Sequence, residues 1–268
     1  MRRKMNPSAA AGVVWALIGV FANAAEVKDV GFTAEHDGTT QKFVEVLPTG
    51  FDAETPTDAL IALHGHGSDR WQFVRQDRGE CRAVRDVAER HGMILISPDY
   101  RAATSWMGPS AEADLVQIIA ELKERRSVRR VFLTGASMGG ASCLTFAALH
   151  PDLIDGVASM NGTANHVEYE RFQDAIAASF GGSKTEIPDE YKKRSAEFWP
   201  ERFTMPVAFA VGGKDQSVPP DSVLRLAENI ENAKLIHREN GGHSTTYEDA
   251  IEILEFVIDR ASTPAEPK

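Results

Sequence analysis

VFLTGASMGGASCL, residues 131–144, is the stretch that decides how this chain is read. An apolar run of β-type residues stops at Gly135. Ser137 follows two positions later, then Met-Gly-Gly and a helix-like stretch. The pattern is G-x-S-x-G, with Gly135, Ser137 and Gly139. At a sharp strand-to-helix turn the serine is held in a strained conformation, and its hydroxyl is exposed at the top of a sheet. A helix N-terminus then points N–H groups at whatever the serine attacks. The positions two away on each side come close to neighbouring backbone, so side chains there would clash. The pentapeptide alone is a modest signal. The strand before it and the helix after it make it specific.

Working outward, short apolar runs alternate with helical periodicity. "KFVEVLP" alternates polar and apolar, and reads as an exposed or edge strand. "DALIALHG", "MILISPDY", "RRVFLTG", "GVASMNG" and "PVAFAVGG" are continuous apolar runs, as buried parallel strands are. "AKLIHREN" reads as a further strand. Between them, "GECRAVRDVAERHG", "SAEADLVQIIAELKERR", "SMGGASCLTFAALHP", "DSVLRLAENI" and "YEDAIEILEFVIDR" carry helical spacing. The second of these opens on Ser110 and acidic residues and closes on basic ones, as the helix dipole prefers. The alternation predicts an α/β fold: a mostly parallel central sheet with helices on both faces. In such sheets ligands bind beyond the carboxyl ends of the strands, so the residues after each run are the candidates.

One interval breaks the rhythm. Residues 163–204 hold no clean strand but carry Phe172, Phe180, Tyr191, Phe198 and Trp199. The interval is too long for a plain loop. A small helical cap over the site is expected there, the ordinary alternative being a crossover helix with a long approach.

A serine hydroxyl is a poor nucleophile without a base. "AVGGKDQSVPP" places Asp215 just past a buried run, and "ENGGHSTTYED" places His243 after the next one. Each alone has a plain structural use, Asp215 as a turn cap and His243 as a helix cap. Together with Ser137 they form the order Ser, Asp, His, each after a strand end. His237 is a rival base but sits inside a strand. Asp221 is a rival acid, though "PPDSV" suits a helix start. An oxyanion needs two N–H donors. Met138 follows the nucleophile directly. The second donor should come from "HGHGS", residues 64–68, through His66 or Gly67. His64 and His66 form an H-x-H pair that can chelate a metal, but no acidic or cysteine ligands accompany it. No metal and no cofactor is expected.

The first residues are a separate object. "MRRKMNPS" is basic, residues 9–22 are an apolar run, and "ANAA" offers small residues at a cleavage site. That is the pattern of a signal peptide, residues 1–24, and the run is short for a membrane span. The expected mature protein, 25–268, is a single exported domain, periplasmic or secreted. Losing Arg2, Arg3 and Lys4 moves the net charge from −10 to −13. So acidic a protein repels nucleic acid and anionic membranes, and neither is an expected partner. With 43% hydrophobic and 25% charged residues, the chain buries a core without help from disulfides. Cys81 and Cys143 leave two readings open: export permits a bridge, whereas a buried thiol is the plainer use.

In combination, "LHGHGS", "GASMGG", "GGKDQSVP" and "GGHS" resemble the α/β-hydrolase superfamily, over about residues 40–260. Within it the chain is similar to small secreted esterases of the feruloyl, acetylxylan and polyhydroxybutyrate depolymerase-like type, and to prolyl oligopeptidase catalytic domains. The resemblance implies Ser137 as nucleophile, His243 as general base and acid, and Asp215 as the residue orienting it. It implies the backbone N–H groups of His66 and Met138 as oxyanion donors. No segment here could build the propeller of true prolyl oligopeptidases, which weakens a peptidase reading. A dienelactone hydrolase would carry cysteine at position 137, and a haloalkane dehalogenase aspartate. The expected activity is hydrolysis of carboxylic esters, on acylated polysaccharide or a smaller ester. A serine peptidase or amidase is the alternative, and a non-catalytic module on the same fold is disfavoured by the complete triad. The loop "DYRAATSWMGP" offers Trp106 and Met107 to line the substrate pocket together with aromatics of the 163–204 interval; Trp199 reads better as packing.

Overall fold

The apolar runs become strands because both of their faces find cover. The computed structural model describes residues 25–262. The expected signal peptide, 1–24, and the last six residues lie outside that range. Eight strands form one sheet: β1 (Glu26–Thr33), β2 (Thr40–Leu47), β3 (Thr57–Leu63), β4 (Ile94–Pro98), β5 (Val128–Ala136), β6 (Gly156–Met160), β7 (Val207–Gly212) and β8 (Lys234–Arg238). Their order is β1-β2-β4-β3-β5-β6-β7-β8. The pairs β1–β2 and β2–β4 are antiparallel; the others are parallel.

Successive side chains along a strand point to opposite faces, and the core divides accordingly. Ala59, Ile61 and Leu63 of β3 join one cluster, while Leu60 and Ala62 join the other. The second cluster is closed by α1 (Gln72–Arg75), α2 (Gly79–Arg90) and α8 (Tyr247–Ser262), through residues such as Phe73, Val84, Val87, Ile253 and Val257. The first is closed by α3 (Pro109–Arg126), α4 (Met138–Leu149) and α7 (Asp221–Glu228), through Leu115, Ile119, Leu144 and Leu226. Cys81 lies in one cluster and Cys143 in the other, so the sheet separates them and both are free thiols. Burial pushes the Cys81 thiol up to about 11 and the Cys143 thiol up to about 12, which leaves both inert.

Two features differ from the expectations. "KFVEVLP" is not an edge strand: β2 is paired on both sides, because β1 covers its outer edge. β1 itself has a weak pattern, with polar or half-exposed residues throughout, and periodicity did not reveal it. The 163–204 interval, where a small helical cap was expected, holds α5 (Gln173–Phe180), α6 (Pro188–Lys193) and two short 3-10 turns. Arg194, fully buried, ties it down: its guanidinium donates to the Met107 carbonyl, to Glu112 of α3 and to Glu190.

The register fixes where a site can form. Leu63, Gly135, Ser159, Phe209 and Leu235 lie in one row across β3, β5, β6, β7 and β8. Every segment that follows this row emerges on the same edge of the sheet. Among the described residues no helix is long and apolar enough to cross a membrane.

Candidate active site

Ser137 is the corner residue between β5 and α4. Its φ is 59° and its ψ −120°, a region L-residues avoid. Such a conformation costs on the order of 1–3 kcal/mol and persists only where the surroundings enforce it. Here the Ser137 N–H donates to the Met160 carbonyl at 2.9 Å, and its own carbonyl accepts from Ala141 at 3.0 Å. The flanking glycines leave the room this needs. A methyl on Gly135 would overlap the Gly139 backbone, and one on Gly139 would overlap the Leu63 carbonyl at the end of β3.

Asp215 and His243 reach the serine from the two loops after β7 and β8. His243 Nε2 lies 2.9 Å from Ser137 Oγ, and His243 Nδ1 lies 2.6 Å from Asp215 Oδ2. A carboxylate only accepts, so Nδ1 carries the proton and Nε2 is free to accept from the hydroxyl. The other Asp215 oxygen accepts from the N–H groups of Ser217 and Val218 at 2.8 and 2.9 Å. The turn-capping use of this residue and its contact with His243 therefore coexist, one oxygen for each. The two loops dock backbone to backbone. Gly213 N–H donates to Arg238 O and Lys214 N–H to Gly241 O, both at 2.8 Å. A methyl on Gly212 would overlap the Gly242 carbonyl. The rival residues stay apart from this chain: His237 lies within β8 and Asp221 opens α7.

The 64–68 loop passes beside the serine. A methyl on Gly65 would lie 3.8 Å from Ser137 Cβ. Gly65 N–H is used on Gln72 Oε1 at 2.9 Å, and Gly67 N–H on Ala103 O at 2.7 Å. The His66 N–H between them has no partner among the described residues, so of the two candidates only His66 has a donor to offer. Met138 occupies the first position of α4, where an N–H has no partner within the helix. His64 is buried, its two ring nitrogens against the carbonyls of Gly65 and Asp99 at 2.9 and 3.2 Å. Burial lowers its pKa, and likewise that of His66.

Trp106 and Met107 are not where a substrate would meet them. They are 1% and 0% exposed. Their loop turns through positive φ at both residues and drives the side chains into the core. Trp106 acts from beneath: its Nε1–H donates to His66 Nδ1 at 3.1 Å. The exposed aromatic above it is Phe172, whose ring centroid lies 4.4 Å from that of His66 and 5.6 Å from that of Trp106. Trp199 packs at the margin of the core under the Arg202 guanidinium.

Sequence reading missed Asn161, the first residue after β6. Its Nδ2 donates to Thr245 Oγ1 at 2.9 Å and its Oδ1 accepts from Gly212 N–H at 3.2 Å. Its own N–H donates to Ala210 O at 2.8 Å. One buried side chain thus bridges the acid loop and the histidine loop. The available signal was an Asn-Gly pair directly after an apolar run. Among the described residues no group of three or more His, Cys, Asp or Glu side chains is placed to hold a metal ion.

Comparison with known proteins agrees with this architecture. Residues 58–199, more than half of the chain, match the family model described as the alpha/beta hydrolase fold, and the chain belongs to that family. It is 21% identical over 290 residues to a 2-hydroxy-6-oxononadienedioate/2-hydroxy-6-oxononatrienedioate hydrolase of Cupriavidus pinatubonensis (strain JMP 134 / LMG 1197), covering 89% of this chain and 98% of the relative. The protein of the same name in Burkholderia vietnamiensis (strain G4 / LMG 22486) is 27% identical over 135 residues. That match spans 47% of this chain and less than half, 46%, of the relative. Among solved structures, a ferulic acid esterase superposes with a TM-score of 0.65 at 15% identity, covering 89% of this chain and 99% of its own. At such identity the likeness is one of fold.

Proposed function

We propose that this protein is a serine hydrolase that cleaves carboxylic esters, with Ser137, His243 and Asp215 as its triad. The observation that carries the reading is the unbroken run of contacts from Ser137 Oγ through the His243 imidazole to a buried carboxylate. Ser137 Oγ attacks the ester carbonyl carbon and gives its proton to His243 Nε2. The carbonyl oxygen becomes an oxyanion held by the N–H groups of Met138 and His66. Collapse breaks the bond to the alcohol oxygen, which takes the proton from Nε2 and leaves. Water then attacks the acyl-serine, loses a proton to Nε2, and frees the acid and the serine. Ser137, His243 and water account for every proton and electron pair, so the scheme invokes no metal or cofactor.

The substrate is an ester presented at an open surface. Ser137 is half-buried, and His243 and Phe172 are exposed. The 163–204 interval serves as the cap, since Phe172 overlies the His66 loop and Tyr169 Oη donates to the Ser217 carbonyl beside Asp215. Residues 1–24 direct export, which fits an acylated polysaccharide or other extracellular ester; N-terminal sequencing of the secreted protein should begin at Ala25 or Glu26.

The test is a panel of p-nitrophenyl acetate, p-nitrophenyl octanoate, methyl ferulate, acetylated xylan and a prolyl naphthylamide. Ester turnover should fall by roughly 10⁴-fold or more in Ser137→Ala. Full activity in that variant would falsify the assignment of the nucleophile. Cleavage of the amide alone would move the protein to the peptidases.

A further inference from the structure

Phe172 is an anomaly on two counts. It is 41% exposed, although most large apolar side chains among the described residues are buried. Its φ of 56° and ψ of 27° place a bulky aromatic in the left-handed region, where glycine or asparagine is at home. Its surroundings also hold it in that strained state. Phe172 O accepts from Ile176 N–H as the first bond of α5. Three residues upstream, the Tyr169 carbonyl accepts from both Lys184 Nζ and Gln173 Nε2, at 2.8 and 2.6 Å. Strain held in this way and spent on exposing an aromatic ring points to a use for the ring.

The ring does not stand alone. It rests at 42° on the His66 imidazole and at 36° to the Trp106 indole, with centroids 4.4 and 5.6 Å away. Trp106 in turn lies 5.6 Å from the Tyr169 ring. Trp106 Nε1–H donates to His66 Nδ1, so that nitrogen is unprotonated and the imidazole is uncharged. The result is a neutral aromatic shelf with its outer ring in solvent. His66, one of its members, carries the backbone N–H that the esterase reading assigns to the oxyanion, and it follows directly on Gly65, which abuts Ser137.

We propose that Phe172, backed by His66 and Trp106, is a subsite for a planar aromatic group of the ester substrate. The proposal rests on the esterase reading and narrows its substrate class. Aromatic rings favour offset or tilted contact with other rings beyond what their area alone provides, and the open face of Phe172 offers that contact. The aromatic group can belong to the acyl part or to the alcohol.

Five esters of unactivated alcohols separate the possibilities: ethyl acetate, benzyl acetate, cyclohexylmethyl acetate, methyl 3-phenylpropanoate and methyl 3-cyclohexylpropanoate. One of the two aromatic esters should exceed ethyl acetate in kcat/KM by about tenfold or more, chiefly through KM. Benzyl acetate as the winner puts the ring on the alcohol side, and the phenylpropanoate puts it on the acyl side. Phe172→Asn relieves the left-handed strain, so its melting temperature should hold while the preference collapses. Phe172→Trp should retain the preference. An unchanged preference in Phe172→Asn overturns the proposal, and so does equal turnover of the winning aromatic ester and its own cyclohexyl counterpart. If the wild type turns over no ester, the esterase reading fails and binding decides the subsite. Sodium 3-phenylpropanoate should give saturation-transfer NMR signals with the wild type that Phe172→Asn loses. Equal signals, or none with either, overturn the subsite as well.

Discussion

Asp215 joins two contacts in one side chain. Its carboxylate is shared between the 217–218 turn and His243. Asp215→Asn keeps the volume but lets an amide donor face Nδ1, which favours the wrong tautomer. We expect kcat to fall by roughly 10⁴-fold with the fold intact, measured by ester turnover beside circular dichroism. Asn161 acts through others rather than on substrate. Asn161→Ala strands the buried Gly212 N–H and frees the Thr245 end of the histidine loop. The expected cost is about 1–3 kcal/mol of stability in urea unfolding. On the proposed function, the loss of activity should appear in kcat rather than KM, because the contacts of His243 and Asp215 and not the pocket are loosened.

The acid and histidine loops meet only because Gly212 lets them touch. Gly212→Ala should push the Gly242 carbonyl away and carry His243 with it, since the added methyl has backbone and not a flexible side chain in its path. The expected result is a folded protein with a lowered melting temperature and at least a tenfold loss in kcat; wild-type turnover would show that the loop yields freely. The elements themselves were largely legible. The strongly apolar runs became β3 to β7, and the amphipathic stretches became α2, α3, α4, α7 and α8. β1 was not, because a half-exposed edge strand carries little apolar signal and is made by its partner, β2. Helices were expected in the 163–204 interval, but α5 and α6 were not legible in their bounds, for a related reason. They are short, and their burial comes from Arg194 and a scatter of aromatics rather than from a regular stripe.

Across the molecule, acid should attack one buried and one partly buried group in turn. Burial first, and then the charge of Arg194, lowers the His166 pKa from 6.5 to about 3. His166 is neutral in the fold but takes up a proton when unfolded, so stability is lost as pH falls from about 6.5 towards 3. Glu112 behaves in the same direction. Burial alone would raise its pKa, but the hydrogen bond from His150 and the charge of Arg194 outweigh it and pull the value from 4.5 to about 2. Its contribution is fully present above about 4.5 and is lost as pH falls to about 2. Glu112→Gln should therefore be less stable than wild type at pH 7, and the two should converge as the pH approaches 2. A constant difference across that range in thermal unfolding would mean that Glu112 does not titrate with the fold. Because Arg194 also anchors the 163–204 interval, the convergence should be accompanied by loosening of that interval in hydrogen exchange.

Local chemistry pointed to Ser137, Asp215 and His243 as candidates, since a serine between glycines and polar residues just past strand ends are features of a few neighbouring positions; that the three meet is a result of the fold. The alternation of runs was enough to imply a sheet covered on both faces, because side-chain period and length are properties of each segment alone. Which N–H of the 64–68 loop is free was decided only when Ala103 came up against Gly67. The same holds for Trp106, carried inside by its backbone turn, and for Phe172, left outside above it. Those outcomes depend on segments far apart in the chain competing for the same space and the same hydrogen bonds, and that competition exists only once the sheet has brought them together.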